Sequence, residues 1–415
     1  MPTAPPTPTD YSTGQYVARL TKPLVTGTDD EYRWVRSDWP YAEIPLGPSG
    51  GSAFITWAVN TPGQLKIAVD RGLFADIYGA VDWDPGGSGV TYIVPESTTL
   101  WLFRNGVPIW AGFLRDIDGD TTSPDITLTA EEFTGSWGDL MLTDDWEVTA
   151  ADIDVTLDEA LARELRAPWM AAHYHAALTG SITATWGRAE TRRLKEIIDE
   201  LALSGDGFEW QQYLAEIGTG AWEARVSVHP VKAGFDYQEL TGTTFDIGWG
   251  AGTVETATTA RYNFSTRGTR TRAVVVGAAG EMAIRDYNEP LGVPRRDLVV
   301  NNSTLQSALV IPTAVALVKR NGLPQLTATV TLQVGDFAGG WPFLWLTGTG
   351  TDPGCSPVGS RFQVTITDAG QTYDAILRVT TWGIAIDPGA EYLVLDLVQD
   401  ELAAEGLSLE IQTVV

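Results

Sequence analysis

Thr99-Leu-Trp-Leu-Phe-Arg-Asn-Gly-Val-Pro-Ile-Trp-Ala-Gly-Phe113 is the stretch that decides the fold. Two apolar runs flank Asn105-Gly106. Asn-Gly in that setting is the strongest short-range hairpin signal, because a two-residue turn needs positive φ at both central positions. The spacing predicts one strand over Thr99 to Phe103 and a second over Val107 to Ile117. Upstream, Phe54, Thr56 and Ala58 alternate with Ile55, Trp57 and Val59, the period of a half-buried strand. Downstream, Asp118-Gly119 reads as another turn, and Ile126-Thr-Leu-Thr-Ala130 as the next strand. From Ser52 to about Leu142 the chain therefore reads as an antiparallel meander, which closes naturally into a small barrel or sandwich.

The pattern then changes. Thr156-Leu-Asp-Glu159 reads as a capping box, with Thr156 as cap and Glu159 reaching back. Leu157, Leu161 and Leu165 follow at helical spacing, and Pro168 blocks continuation. A second helix is predicted from about Thr191 to Ser204 on the stripe Leu194, Ile197, Ile198 and Leu201, with Gly205 at its end. Strands are predicted at Gly207 to Trp210, Ala221 to His229, Ala260 to Thr266 and Arg272 to Gly277. A helix over Leu305 to Arg320 is interrupted by Pro312. Strands return at Leu326 to Val334, Arg361 to Thr367, Tyr373 to Trp382 and Tyr392 to Leu397. Residues 1–50 are rich in Pro, Thr, Gly and Asp and read as an irregular arm. Its aromatics (Tyr11, Tyr16, Tyr32, Trp34, Trp39, Tyr41) imply docking, on the chain's own barrel or on a neighbouring subunit.

With 415 residues, 44% of them hydrophobic, the chain can bury cores for two to four domains. Its 43 glycines and 23 prolines favour turns and short strands. The formal net charge is −26, from 53 acids and 27 bases. Such a surface repels phosphates and anionic lipid, which argues against sequence-specific nucleic-acid binding. The single cysteine, Cys355, permits no internal disulfide and no cysteine-based zinc site. The N-terminus lacks the basic and apolar segments of a signal peptide. The most apolar run, Ala308 to Val318, is too short to span a membrane, so a soluble product made in the cytoplasm is expected.

Candidate chemistry is thin. Asp116, Asp118 and Asp120 alternate around a turn, but an EF-hand loop needs Gly and Glu where Thr121 and Thr127 stand. His173 and His175 could share a strand face and hold zinc with a third ligand; His229 is distant in sequence. Gly86-Gly-Ser-Gly89 and the glycines between Gly335 and Gly350 fit neither a P-loop nor a dinucleotide fingerprint. Among 53 acids a carboxylate pair at glycosidase spacing carries no information. Sixteen Trp residues could form sugar platforms, but Trp57, Trp101, Trp110 and Trp382 lie in strand patterns and Trp169 and Trp186 beside helix ends, which favours packing. No catalytic, cofactor-binding or metal-binding residue is assigned.

The segment Leu100 to Phe113, with its Arg-x-Gly turn followed by Trp-x-Gly, resembles the first tube domain of tail-tip (baseplate) hub proteins of long-tailed bacteriophages. Its Trp- and Pro-rich style is similar to minor tail proteins of actinobacteriophages. Gly207-Phe-Glu-Trp210 after a helix, and the order of the C-terminal strands, extend the resemblance over residues 50–400. It implies a mainly β (α+β) fold of small antiparallel barrels with an inserted α+β domain. It also implies a non-enzymatic homotrimer at the virion tail tip. That trimer would continue the tail tube, let DNA pass, and contact the distal tail protein, the tape measure protein and tail fibre or receptor-binding proteins.

The expected limits are an arm at 1–50, a first barrel at 51–150, a small α+β domain at 151–235, a mixed β/α segment at 236–335 that could complete a barrel, and a C-terminal β domain at 336–415. The competing expectation is a carbohydrate-binding or carbohydrate-cleaving protein, including a phage receptor-binding component.

Overall fold

The computed structural model describes residues 15–21, 41–47, 50–79, 93, 95, 98–164, 172–174, 177–178, 180–202, 208–218, 221–230, 247–250, 257–265, 269–277, 280–286, 295–301, 310–311, 313–315, 317–318, 325–333, 347–349, 359, 361–387, 390–399 and 412–413. By internal packing the chain divides into two units. The first holds residues 1–244, 331–360 and 379–395; the second holds 245–330, 361–378 and 396–415.

In chain order the elements are β1 (Tyr16–Thr21), β2 (Tyr41–Leu46), β3 (Ser52–Ala58), β4 (Thr61–Asp70), α1 (Arg71–Gly79), β5 (Thr99–Arg104), β6 (Val107–Asp118) and β7 (Asp125–Glu132). A 3-10 turn over Phe133–Gly138 leads to β8 (Trp146–Asp152), α2 (Ile153–Glu164), β9 (Ala172–Tyr174), β10 (Ser181–Trp186), α3 (Leu194–Ala202), β11 (Phe208–Gly218) and β12 (Ala221–Pro230). Then come β13 (Ile247–Trp249), β14 (Ala257–Ser265), β15 (Arg272–Val276), β16 (Met282–Asp286), β17 (Asp297–Asn301), β18 (Gln325–Gln333), β19 (Thr347–Thr349), β20 (Arg361–Asp368), β21 (Gln371–Asp387) and β22 (Ala390–Gln399). The fold is mainly β, as the strand patterns required.

In the first unit the strand order is β22-β21-β3-β4-β7-β6-β5-β1-β2. The hairpin at its centre forms as expected: Asn105 and Gly106 have φ of 52° and 81°, and Arg104 pairs with Val107. Trp110-x-Gly112 has a steric cause. A Cβ on Gly112 would stand 2.0 Å from the Glu131 carbonyl oxygen and 2.7 Å from the Trp110 ring. A Cβ on Gly106 would meet nothing within 4 Å. Gly106→Ala is therefore expected to cost about 1 kcal/mol, from the positive φ alone. Gly112→Ala should cost several times more, because two backbones must separate. Urea midpoints of the two variants check the order.

β5 is buried at every position. Leu100 and Leu102 face one way. Trp101 and Phe103 face the other, into a core shared with Phe133, Trp137, Leu157 and Leu161 of α2, and the α3 stripe. A strand covered on both sides has no reason to alternate, which is why Leu-Trp-Leu-Phe reads as a continuous apolar run. The covering layer is β8-β10, α2, α3 and the sheet β19-β11-β12-β9.

In the second unit the order is β14-β18-β22-β21-β20-β13, and β13 lies beside β14. Among the described residues neither path is closed by a backbone ladder. The separate sheet β16-β15-β17 has one face covered by helical residues Val310 and Ala314, against Val275 and Ala283.

Several sequence expectations are corrected. Residues 1–50 contain two strands: β1 pairs antiparallel with β2 (Tyr16 to Leu46) and with β5 (Tyr16 to Arg104). Ala18, Leu20, Ala42 and Ile44 are fully enclosed or nearly so. The Pro- and Thr-rich flanks hid two short alternating runs. Thr156 is not a cap. The helix starts at Ile153, one residue after Asp152, and the Thr156 hydroxyl donates back to the Asp152 carbonyl (2.9 Å), as a mid-helix threonine does. The helix α1 was not anticipated, although Asp70 caps it by accepting from the Leu73 amide (2.9 Å). Leu194, Ile197, Ile198 and Leu201 are all buried in α3, as their spacing required. Helical residues flank position 312 on both sides. Leu165, Gly205 and Pro312 itself lie outside the described residues.

Candidate functional site

The first unit concentrates its unusual chemistry at two buried polar clusters. The first lies where β7 enters the 3-10 turn. Glu132 is 4% exposed, and its Oε2 accepts from the Gly63 amide (2.7 Å). Burial pushes its pKa up to about 8; the Gly63 amide pulls the other way, and the adjacent Glu131 charge adds to the rise. Glu132 lines a small cavity with Trp57, Trp110, Gln212 and Tyr213. The space holds no more than about one water. The Trp110 Nε1–H is enclosed with no hydrogen-bond partner.

The same place joins the covering layer to the sheet. Gln212 of β11 donates to the Ala111 carbonyl (2.8 Å) and accepts from the Thr134 amide (3.4 Å). Asn60, held at φ 56° in the β3–β4 turn, accepts from the Trp210 amide at its Oδ1 (2.8 Å), and its own amide donates to the Trp210 carbonyl (3.0 Å). A carboxyl with its proton retained near neutrality is a possible acid in chemistry. Here the space beside it admits no substrate, so the group is structural.

The second cluster joins strands far apart in the sheet order. The Tyr16 hydroxyl donates to Glu391 Oε1 of β22. Arg104 Nε lies 3.1 Å from the Tyr16 hydroxyl oxygen and 3.3 Å from Glu391 Oε1. All three residues are buried. The Tyr16 pKa is raised, first by burial and then by the Glu391 charge, so the hydroxyl keeps its proton and donates. β1 and β22 stand seven places apart along the ladder, and this triad bridges them by side chains.

The remaining sequence candidates resolve into packing. Ser227 Oγ and His229 Nε2 are 2.7 Å apart on β12, with Gln211 at 3.5 Å and His173 in register beside Ser227. This looks like a nucleophile and base, but Ser227 has no exposure, so nothing can reach it. His175 lies outside the described residues. Asp120 builds its own turn: its Oδ1 accepts from the Thr122 amide (2.9 Å) and its carbonyl from Ser123 and Arg71 (2.9 and 2.8 Å). The Thr122 amide foremost, then the Thr122 side chain and the Arg71 charge, hold its carboxyl below the usual range. Asp116 and Asp118 continue β6. Among the described residues no three His, Cys, Asp or Glu side chains gather closely enough to hold a metal. Trp101, Trp110, Trp186 and Trp382 are enclosed, and Trp57 stacks on Trp382 with centroids 4.2 Å apart, which leaves none of the five as a platform for sugar. Trp169, Cys355, Gly86 to Gly89, and the segment 335–350 apart from β19, lie outside the described residues. No helix among the described residues is long and apolar enough to cross a membrane.

No protein-family model matches the sequence, and no curated protein matches it. The fold does have relatives among solved structures. The tail protein from Neisseria meningitidis MC58 superposes with a TM-score of 0.57 at 12% identity, over 94% of this chain and 98% of that one. The 43 kDa tail protein of prophage MuSo2 from Shewanella oneidensis gives 0.59 at 10% identity, over 94% and 99%. The prophage tail protein gp18 from Listeria monocytogenes EGD-e gives 0.50 at 12% identity, over 91% and 94%. The chain thus has the fold of phage tail proteins along nearly its whole length.

Proposed function

We propose that the chain is a structural, non-enzymatic component of a phage virion: a tail-tip hub of the actinobacteriophage minor-tail type. In this reading three copies close into a ring that continues the tail tube. The ring joins the distal tail protein and the tape measure protein to fibres or receptor-binding parts, and DNA passes through its centre. The observation that carries the reading is the agreement in fold, end to end, with two solved tail proteins. The domain limits at 150, 235 and 335 belong to the same proposal, with residues 1–50 counted through β1 and β2 with the first β-rich stretch and the two β-rich stretches as tube-forming barrels.

Charge fits this role. A chain at −26 offers phosphates few attractive sites, so DNA could slide past without being held. Protein association does not need that attraction, since apolar contact drives it. Purified chain is expected to sediment as three copies and to show a ring with a central pore by negative-stain microscopy. It should not retain duplex DNA even at about 50 mM salt, where phosphate contacts are strong. A single-copy particle without a pore at all concentrations would sink the proposal.

A further inference from the structure

The carboxyl of Glu132 has a seat shaped to it. A Cβ on Gly63 would stand 3.0 Å from Glu132 Cδ and 3.1 Å from its Oε1, so bare backbone leaves the carboxyl its place beside the Gly63 amide. The space next to it is walled by Trp57 of β3, Ile109 to Ala111 of β6, Glu132 itself on β7, and Gln212 to Leu214 of β11. The first three walls belong to one sheet. β3 pairs with β4, β4 with β7 and β7 with β6, so backbone ladders hold them. β11 belongs to a different sheet, and among the described residues no ladder ties it to the first. Its polar ties across the seam run from Gln212 to the Ala111 carbonyl and the Thr134 amide, and between Trp210 and Asn60.

The charged groups around the seam are matched among themselves. Glu131, next in the chain, is held by Arg115 (3.2 Å), which also holds Asp139 (3.3 Å). On the β11 side, Tyr213 lies against Arg225 of β12, and Arg225 pairs with Glu223. Lys195 of α3 stands over the Trp210 ring and pairs with Asp199 (2.6 Å). Lys66 of β4 alternates with Gly63 to the exposed side. β3 and β6 bring Trp57, Ile109, Trp110 and Ala111 to the space, none of which titrates. A charge on Glu132 would thus meet the like charge of Glu131 and one amide. Burying it unpaired is costly, and the space holds about one water, too few to hydrate a carboxylate.

We propose that Glu132 is a proton-operated latch: protonated, it lets β11 seal against the sheet; ionised, it makes β11 lift at Gln212 and admit water. β11 is the wall that moves, because the other three share a ladder. With the seam open, the hydrated carboxyl titrates near its ordinary 4.5; with it closed, the proton is held to about 8. Between these values opening releases a proton. The opening constant therefore rises about tenfold per pH unit there and levels off above. The seal is tightest below the lower value and weakest above the upper one. The latch goes beyond the assembly reading and does not rest on it, since every group named lies in one chain.

Hydrogen exchange of the full chain tests this, read residue by residue by mass spectrometry and corrected for the intrinsic pH dependence of amide exchange. The reporters are the amides of Asn60, Thr134 and Trp210, whose bonds cross the seam. The reference is the ladder of β4 and β7. At pH 8 the reporters are expected to exchange at least tenfold faster than the reference. Between pH 6 and pH 8 they should lose at least tenfold in protection. Glu132→Gln cannot ionise, so its reporters should keep one level of protection at both pH values. Reporters that match the reference throughout would mean that the seam opens only when the whole chain unfolds, which overturns the latch. Protection that does not change with pH in wild type overturns it as well, and so does an undiminished loss in Glu132→Gln. If that variant does not fold, the wild-type comparison of reporters with reference decides alone.

Discussion

Arg104→Met is expected to lose about 3–5 kcal/mol of stability, more than any surface change in the chain. The substitution keeps the volume of the side chain and removes its charge. Glu391 is then left as a buried carboxylate whose remaining partner at this site is the Tyr16 hydroxyl. Uncompensated burial of a charge costs several kcal/mol, whereas the intact pair barely exceeds its own desolvation. The double change Arg104→Met/Glu391→Leu should therefore recover most of the loss, since two apolar side chains replace two charges in an enclosed space. Tyr16→Phe removes a charge-assisted hydrogen bond and should cost about 1.5–3 kcal/mol. Urea unfolding at pH 7, with unchanged slope across the set, measures all three. If the double variant is as weak as the single one, the triad acts through shape and not through charge.

The second large effect is pH-dependent. Glu132 holds its proton up to about pH 8 in the folded chain and only to about 4.5 when unfolded. Between these values the native state binds a proton that the unfolded state has released, so stability falls as pH rises, by up to about 1.4 kcal/mol per unit. Below the lower value this contribution is fully present; above the upper one it is lost. Glu132→Gln cannot ionise and still offers an oxygen to the Gly63 amide. The variant should match wild type at pH 4 and exceed it by roughly 3–5 kcal/mol at pH 8.5. Paired denaturation series across that range give the difference directly. A constant offset at every pH would mean that Glu132 titrates normally, and that water reaches it.

Much of the architecture was written locally. Asn105-Gly106 dictates its hairpin because backbone sterics admit few other residues at those dihedrals. The α3 stripe dictates its buried face because helical geometry puts Leu194, Ile197, Ile198 and Leu201 on one side. The likeness to tail proteins was likewise visible in Leu100 to Phe113, in advance of any coordinates. Where local signals compete, reading failed. Thr156 and Glu159 satisfy the capping-box spacing, but the helix had already begun at Ile153, and only packing of Ile153 against the shared core sets that start. β1 and β2 carry little local signal, because six-residue strands beside Pro-rich flanks become strands only when β5 pairs with β1 and β1 in turn with β2.

The sequence by itself determined the β class, the hairpin, the two covering helices and the strongly acidic charge. These follow from dihedral limits, periodicity and counting, which act over a few residues or over none in particular. Only the tertiary structure decided that Tyr16, Arg104 and Glu391 meet and that Glu132 is sealed beside Gly63. Each depends on strands paired across tens to hundreds of residues. Register over such distances is fixed by the summed burial of whole sheets, a quantity that no short window of sequence contains.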